Sequence, residues 1–278
     1  MAVPIASEHQ SRQAFERYLR LLGQDARAPG LEALRELTAA HLYRVPFENL
    51  SKLLHRRDPA MRLPAIDRFL DGIESHGFGG TCYSNNYHFS LLLGFLGYDV
   101  RFCGADMSRP DVHVVNVVTL TGREYLVDVG YGAPFAEPMP LDHRDDIVVA
   151  LGTDRYCLKP RDPDGRSTLE MHREGRLRHG YRLNPRGRRI EEFAGVTESS
   201  FSPAATFMNA LVIIRFQPGG STSLHNRSLR ESRGPTQRAS EIPDLQTLPA
   251  TIETRFGIAA EVARRALAGV DLSQDVYG

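Results

Sequence analysis

The hydrophobic period of this chain changes once, at Gly97, and that change limits the folds open to it. Up to Gly97, apolar residues recur at helical spacing. Phe15, Leu19 and Leu22 share a face, and Leu31, Leu34, Leu37 and Leu42 nearly repeat the pattern with Gly30 just ahead. Ile66, Phe69, Leu70 and Ile73 do the same, with Pro64 near the start. A further helix is predicted from Cys82 to Gly97, a glycine placed to close it. Beyond Gly97 the period becomes that of strands. Residues 98–103, 112–120, 123–129, 147–151, 156–158 and 210–216 read as strands, with Thr121-Gly122 as a turn. Residues 161–189 are polar and hairpin-like, Pro218-Gly219-Gly220 is a turn, and residues 248–268 read as helix. The expectation is an α+β chain: helical over 1–97, β over 98–195, and mixed over 196–278.

Composition narrows the function. The 34 basic and 34 acidic side chains cancel, which argues against a nucleic acid or an anionic membrane as the main partner. No apolar run approaches the roughly 18 residues of a membrane span. The opening MAVPIASEHQ has no charged n-region followed by an apolar stretch, so no signal peptide is expected. Three scattered cysteines, without Cys-x-x-Cys or His-x-x-x-His, suggest neither a disulfide framework nor a structural zinc site, and no metal is expected. A reducing, cytoplasmic compartment fits that usage.

Chemistry concentrates at Cys82. It follows Phe78-Gly79-Gly80-Thr81 and opens the predicted apolar helix. A thiol there meets the positive end of the helix dipole and free N–H groups that favour the thiolate. The same N–H groups could hold an oxyanion, and two glycines permit a tight turn and close substrate approach. The plainer reading is a buried structural cysteine. His113 lies on one face of a predicted strand with Val115 and Val117. Asp128 lies in an apolar run, where a carboxylate needs a partner. With a turn at Thr121-Gly122 the two strands are antiparallel neighbours, and His113 and Asp128 could face each other across the ladder. Read separately, they are a core histidine and a turn-capping aspartate. Read with Cys82, they supply the nucleophile, base and orienting carboxylate that thiol catalysis requires. His88 lies six residues beyond Cys82 and falls on the other side of the helix. Cys103 and Cys157 are expected to be buried and inert.

The same residues resemble a known family. Gly79-Gly80-Thr81-Cys82 followed by an aromatic residue, with Asn86 four positions on, is similar to the active-site motif of the arylamine N-acetyltransferases. Residues 41–50, with Val45-Pro46-Phe47-Glu48-Asn49-Leu50 at their heart, resemble that family's N-terminal signature. Val112-His113-Val114 and residues 127–132 stand in the places of its His and Asp strands. Weaker matches are Phe201-Ser202-Pro203 with Phe207, and Leu224-His225-Asn226. The resemblance covers roughly residues 10–260.

It implies a helical bundle, a central β-barrel and a C-terminal α/β lid around a papain- or transglutaminase-like Cys-His-Asp core. It implies catalysis by Cys82, His113 and Asp128, with acetyl-CoA as co-substrate and no permanently bound cofactor. An acetyl group would pass through a Cys82 thioester to an arylamine, hydrazine or similar amine by a ping-pong route. Gly130 and Gly132 match a glycine-rich loop associated with the acyl-CoA site. Two positions depart from the pattern: Phe78 stands where the family usually has Arg, and Ser84 where it usually has an acidic or amide residue. Without that Arg, Glu48 loses a candidate partner, and Arg44 and His76 are the replacements in reach. Arg186, Arg188 and Arg189, and Arg227, Arg230 and Arg233, are either CoA-phosphate ligands or solvated surface. Tyr131 and Phe207 are either acceptor-pocket or core residues. A macrolactam-closing amide synthase of the same fold, a cysteine hydrolase or transglutaminase-like enzyme, and an inactive binding protein are the competing readings; homo-oligomerisation stays open.

Overall fold

The computed structural model describes residues 8–272. Its first part contains helices α1 (Glu8–Leu22), α2 (Leu31–Arg44), α3 (Leu50–Leu54), α4 (Ile66–His76) and α5 (Cys82–Phe95), with a two-residue strand β1 (Phe47–Glu48) between α2 and α3. The predicted apolar faces of α1, α2, α4 and α5 meet in one core around Tyr18, Leu34, Leu70, Phe89 and Leu92. α4 ends at Gly77, whose φ of 66° lets its N–H return to the last turn.

The central part is one antiparallel sheet of eight strands, curled into a nearly closed barrel. The strands are β2 (Asp99–Asp106), β3 (His113–Leu120), β4 (Arg123–Val127), β5 (Met139–Pro140), β6 (Ile147–Leu151), β7 (Asp154–Leu158), β8 (Thr168–Arg173) and β9 (Arg176–Gly187). Their order is β5-β4-β3-β2-β9-β8-β7-β6. Thr121 and Gly122, with φ of 49° and 78°, form the predicted turn between β3 and β4.

The last part contains α6 (Ala194–Ser199), β10 (Val212–Gln217), β11 (Gly220–His225), β12 (Ser228–Arg233), β13 (Thr236–Glu241), α7 (Leu248–Phe256) and α8 (Ala260–Leu267). Its four strands form a second sheet that β1 joins at the edge, in the order β1-β10-β11-β12-β13. Ile213 and Leu224 of this sheet pack with Leu53, Ile252 and Phe256, which seats α3, α7 and α8 against one face.

Two expectations need correction, and three strands carry no signal in the sequence. Residues 248–268 are two helices, because Gly257 ends the first with φ of 76°. Strands β11 to β13 give no apolar signal: their alternation is of Ser, Thr and Arg, and they are only partly covered. Asp128 is not in the ladder, since β4 stops at Val127, opposite Asn116. Among the described residues, no helix is long and apolar enough to cross a membrane.

Candidate functional site

Cys82 is the first residue of α5, after an extended Thr81. The loop that delivers it is braced from one side by the Val45–Leu50 segment. A Cβ on Gly79 would stand 2.0 Å from the Pro46 carbonyl oxygen, so only glycine lets these backbones touch. Glu48 donates its N–H to Gly80 O at 3.1 Å, and Asn85 Nδ2 donates to the same carbonyl at 3.1 Å. Cys82 is 8% exposed, with Sγ 3.8 Å from Val112 O.

His113 opens β3, and its ring is buried. Its Nε2 bonds Asp128 Oδ2 at 2.8 Å. The pairing is diagonal: β3 and β4 align Asn116 with Val127, so Asp128, just past the strand end, falls level with Val115 and reaches onward along β3 to His113. The carboxylate is held on all sides. Tyr181 OH donates to Oδ2 at 3.0 Å, while Asn86 Nδ2 and Gly130 N donate to Oδ1 at 2.9 and 3.0 Å. Asn86 itself is fixed by bonds to Val114 O and from Val129 N, at 2.7 and 3.0 Å. Tyr181 also lays its ring beside the imidazole at 4.8 Å between centroids. Burial pushes the His113 pKa down, but Asp128 and then Cys82 outweigh it and raise it to about 10. The site therefore favours an imidazolium beside the thiol. Among the described residues no group of His, Cys, Asp and Glu is arranged to hold a metal ion.

Cys82 and His113 open on a cavity of about 1610 Å³, walled by α3, α4, the Cys loop, residues 196–207, the barrel strands β7 to β9 and the second sheet. Phe201, Phe207 and Tyr131 line it. Gly130 and Gly132, on the loop after Asp128, line it too. A Cβ on Gly130 would sit 2.8 Å from Cys82 Cα, and one on Gly132, where φ is 74°, would sit 2.9 Å from Ile214 Cδ1. Both positions thus also have packing reasons to be glycine.

Glu48 is 0% exposed, and among the described residues no cation pairs with it. Its carboxyl accepts instead from Ser51 Oγ at 2.6 Å, Ser51 N at 2.9 Å and Gly79 N at 3.2 Å. Burial raises its pKa against these bonds. Arg44 is directed elsewhere, to Leu21 O, and His76 lies beside the Phe78 ring. Phe78, 3% exposed, belongs to the core under the second sheet. With Phe78 beside it in the core, Glu48 is thus met by a hydroxyl and two backbone amides. Asn49 completes the brace: its side chain donates to Phe207 O and Ala210 O at 2.9 and 2.6 Å and accepts from Val212 N at 2.8 Å.

His88 is buried between the carbonyls of Ser84 and Pro64 and stacks on Phe69. Burial lowers its pKa to about 4, which suits a core residue. Burial raises Cys103 to about 12, as expected of an inert thiol, whereas Cys157 is only half-buried. Of the arginines, Arg188 pairs with Asp111 and lies over Phe193, Arg189 pairs with Glu191, and Arg227 donates to the carbonyls of Ile242 and Pro243. Arg230 is half-buried on the cavity wall without a salt bridge among the described residues. Tyr181 and Lys52 carry no signal in the sequence. Tyr181 lies in a polar run, and Lys52 looks like an ordinary surface position of α3.

Comparison with known proteins agrees with this layout. The sequence pattern of the N-acetyltransferase family matches residues 30–265. The chain is 28% identical to an arylamine N-acetyltransferase of Mycolicibacterium smegmatis over 87% of its length and 90% of that protein's. It is 38% identical to the proansamycin X synthase of Amycolatopsis mediterranei over 117 residues, 39% of this chain and 45% of that one. A solved structure of Mycobacterium marinum arylamine N-acetyltransferase in complex with CoA superposes with a TM-score of 0.76 at 25% identity, covering 91% and 97% of the two chains. The match along most of the chain, together with a nearly closed barrel and helical N-terminal part shared with those structures, places this protein in the N-acetyltransferase family, the acyltransferase family of the arylamine N-acetyltransferases.

Proposed function

We propose that this protein moves an acetyl group from acetyl-CoA to a small amine of the arylamine or hydrazine kind through a thioester on Cys82. The observation that carries the reading is the buried Asp128–His113 hydrogen bond at the wall of one large cavity that Cys82 also lines. The Cys82 thiolate attacks the acetyl-CoA carbonyl, and the first N–H groups of α5 face the oxyanion that forms. The carbon–sulfur bond to CoA breaks, and the departing CoA sulfur takes the His113 proton. The amine then attacks the Cys82 thioester, its carbon–sulfur bond breaks, the amine proton passes to His113, and the amide leaves with the Cys82 thiolate and His113 imidazolium restored. Asp128 keeps the imidazole oriented through both halves. The helical part (1–97) and the barrel part (98–195) supply the three residues, and the 196–278 part covers them. Arg230 and the Gly130–Gly132 loop are the candidate CoA contacts, and the reaction suits a reducing cytoplasm, where Cys82 stays free.

The proansamycin X synthase match favours a second reading, an intramolecular amide closure in which donor and amine belong to one molecule. Intact mass after incubation with acetyl-CoA separates them. An acetyl adduct that is absent in Cys82→Ser, present in Cys103→Ser and discharged by an arylamine supports transfer. CoA release with only free acid indicates a hydrolase, and no adduct with any simple acyl-CoA sinks the proposal.

A further inference from the structure

The nucleophile's cavity contains a cation that the triad does not use. Lys52 is on α3, four residues beyond Glu48, and is 9% exposed. Its Nζ donates to Ser200 Oγ at 2.8 Å, and that hydroxyl in turn donates to Thr197 O at 2.7 Å. The remaining faces of the ammonium meet aromatic rings: Phe201 at 4.2 Å and Phe207 at 6.0 Å to the centroids. Among the described residues no carboxylate pairs with Lys52. Glu198, close by in α6, is taken by Arg62. Lys52, Ser200, Phe201 and Phe207 all line the cavity with Cys82.

A buried ammonium with one neutral acceptor is an expensive feature. It has three N–H donors, and removal from water is costly unless an anion or further acceptors compensate. Cation–π contacts return only part of that. Burial accordingly lowers its pKa to about 8, partly offset by the neighbouring Cys82. An apolar slot with one unspent positive charge at its side is the complement of a small carboxylate with a flat or aliphatic body.

We infer that Lys52 recognises a carboxylate on the substrate, with Phe201 and Phe207 holding the apolar part that bears it. The carboxylate could belong to the acyl chain, as in a dicarboxylic acyl-CoA, or to the amine, as in an aminobenzoate. This rests on the acyl-transfer reading for its kinetics but not for its binding.

Two measurements test it. The first is selectivity, as the ratio of kcat/KM for malonyl-CoA over acetyl-CoA with one neutral amine, and for 4-aminobenzoate over aniline with acetyl-CoA. In the wild type one ratio favours the anion; Lys52→Met lowers that ratio at least tenfold and Lys52→Arg retains most of it. The arm that responds identifies which substrate carries the carboxylate. The wild-type ratio should also fall as pH rises through about 8, where the free ammonium is lost. The second needs no turnover: benzoate, and not benzamide, should slow iodoacetamide alkylation of Cys82, and Lys52→Met should abolish that protection. Protection without acyl transfer would leave the carboxylate site standing and the proposed function refuted. Ratios unchanged by Lys52→Met in both arms, with equal protection by benzoate and benzamide, overturn the inference and leave Lys52 a packing residue.

Discussion

Gly130→Ala separates two explanations of the glycine loop. Its added Cβ would lie 2.8 Å from Cys82 Cα, 3.0 Å from Cys82 O and 2.6 Å from Asn86 Nδ2, whereas ordinary contact begins near 3.4 Å. Two of the three atoms are backbone and cannot rotate away. The loop or the start of α5 must therefore retreat by roughly 0.6 Å, the shortfall against van der Waals contact. Overpacking of this kind costs about 1–3 kcal/mol of stability. The catalytic cost is larger in proportion, because a misplacement of reacting groups by about 1 Å costs about 100-fold. Gly130 N also anchors Asp128 Oδ1, so the retreat disturbs nucleophile and orienting group together. The expected outcome is a kcat/KM lower by roughly 10- to 100-fold. It should come with altered iodoacetamide alkylation of Cys82 and a lower Tm. A variant with kcat/KM indistinguishable from wild type and unchanged alkylation would refute the packing argument. A raised KM for acetyl-CoA with alkylation intact would instead assign Gly130 to CoA contact alone.

Two further outcomes rest on the electrostatics. The raised pKa of His113 means the imidazolium's contribution is complete below about 6.5 and is lost as pH rises through about 10. The His113 imidazole should thus stay protonated across neutral pH in the wild type, as its NMR chemical shifts would show. In Asp128→Asn its titration should move down toward the ordinary histidine midpoint near about 6.5, with turnover reduced by about 10³- to 10⁴-fold; an unchanged titration would show the pair is not set by Asp128. Glu48→Gln should lower stability by about 1–3 kcal/mol, since an amide NH₂ would face a donor at Ser51 or Gly79. Because the folded Glu48 pKa is raised, its contribution is present below 4.5 and lost as pH rises through the folded value, and Gln should flatten that acid-side slope. Phe78→Arg should not rescue Glu48→Gln in thermal melts, and recovery of Tm in the double variant would mean position 78 still speaks to Glu48.

Features set by a hydrophobic period or a capping rule were legible in the residues. The apolar faces of α1, α2 and α4, the glycine that closes α5, and the Thr121-Gly122 turn all rest on local chemistry, and the structure has them where expected. The proximity of His113 and Asp128 was also legible, but not its geometry. The Thr121-Gly122 turn sets Asn116 opposite Val127, a register in which Asp128 falls level with Val115 rather than His113, so the pair is diagonal. Strands β11 to β13 were invisible because half-covered strands carry Ser, Thr and Arg without an apolar rhythm. The partners of Glu48 are hidden for a related reason: backbone amides leave no trace in a sequence, and the cations in reach, Arg44 and His76, are engaged elsewhere. Lys52 gave no sign because burial of a lysine depends on residues 148 positions away.

The brace on the Cys loop has a consequence for how the chain is made. The Phe47–Glu48 strand finds its ladder partners at Ile213 and Ile214, and Asn49 bonds backbone at positions 207, 210 and 212. These contacts span some 160 residues, among the costliest to close in the chain. On a ribosome adding roughly 5–20 residues per second, the segment that steadies Gly79 and Gly80 waits on the order of ten seconds for its anchor. Through that interval Cys82 has been synthesised but the segment that braces its loop is not yet anchored. The order of synthesis makes the α5 start and the barrel residues available first and the β10 anchor last.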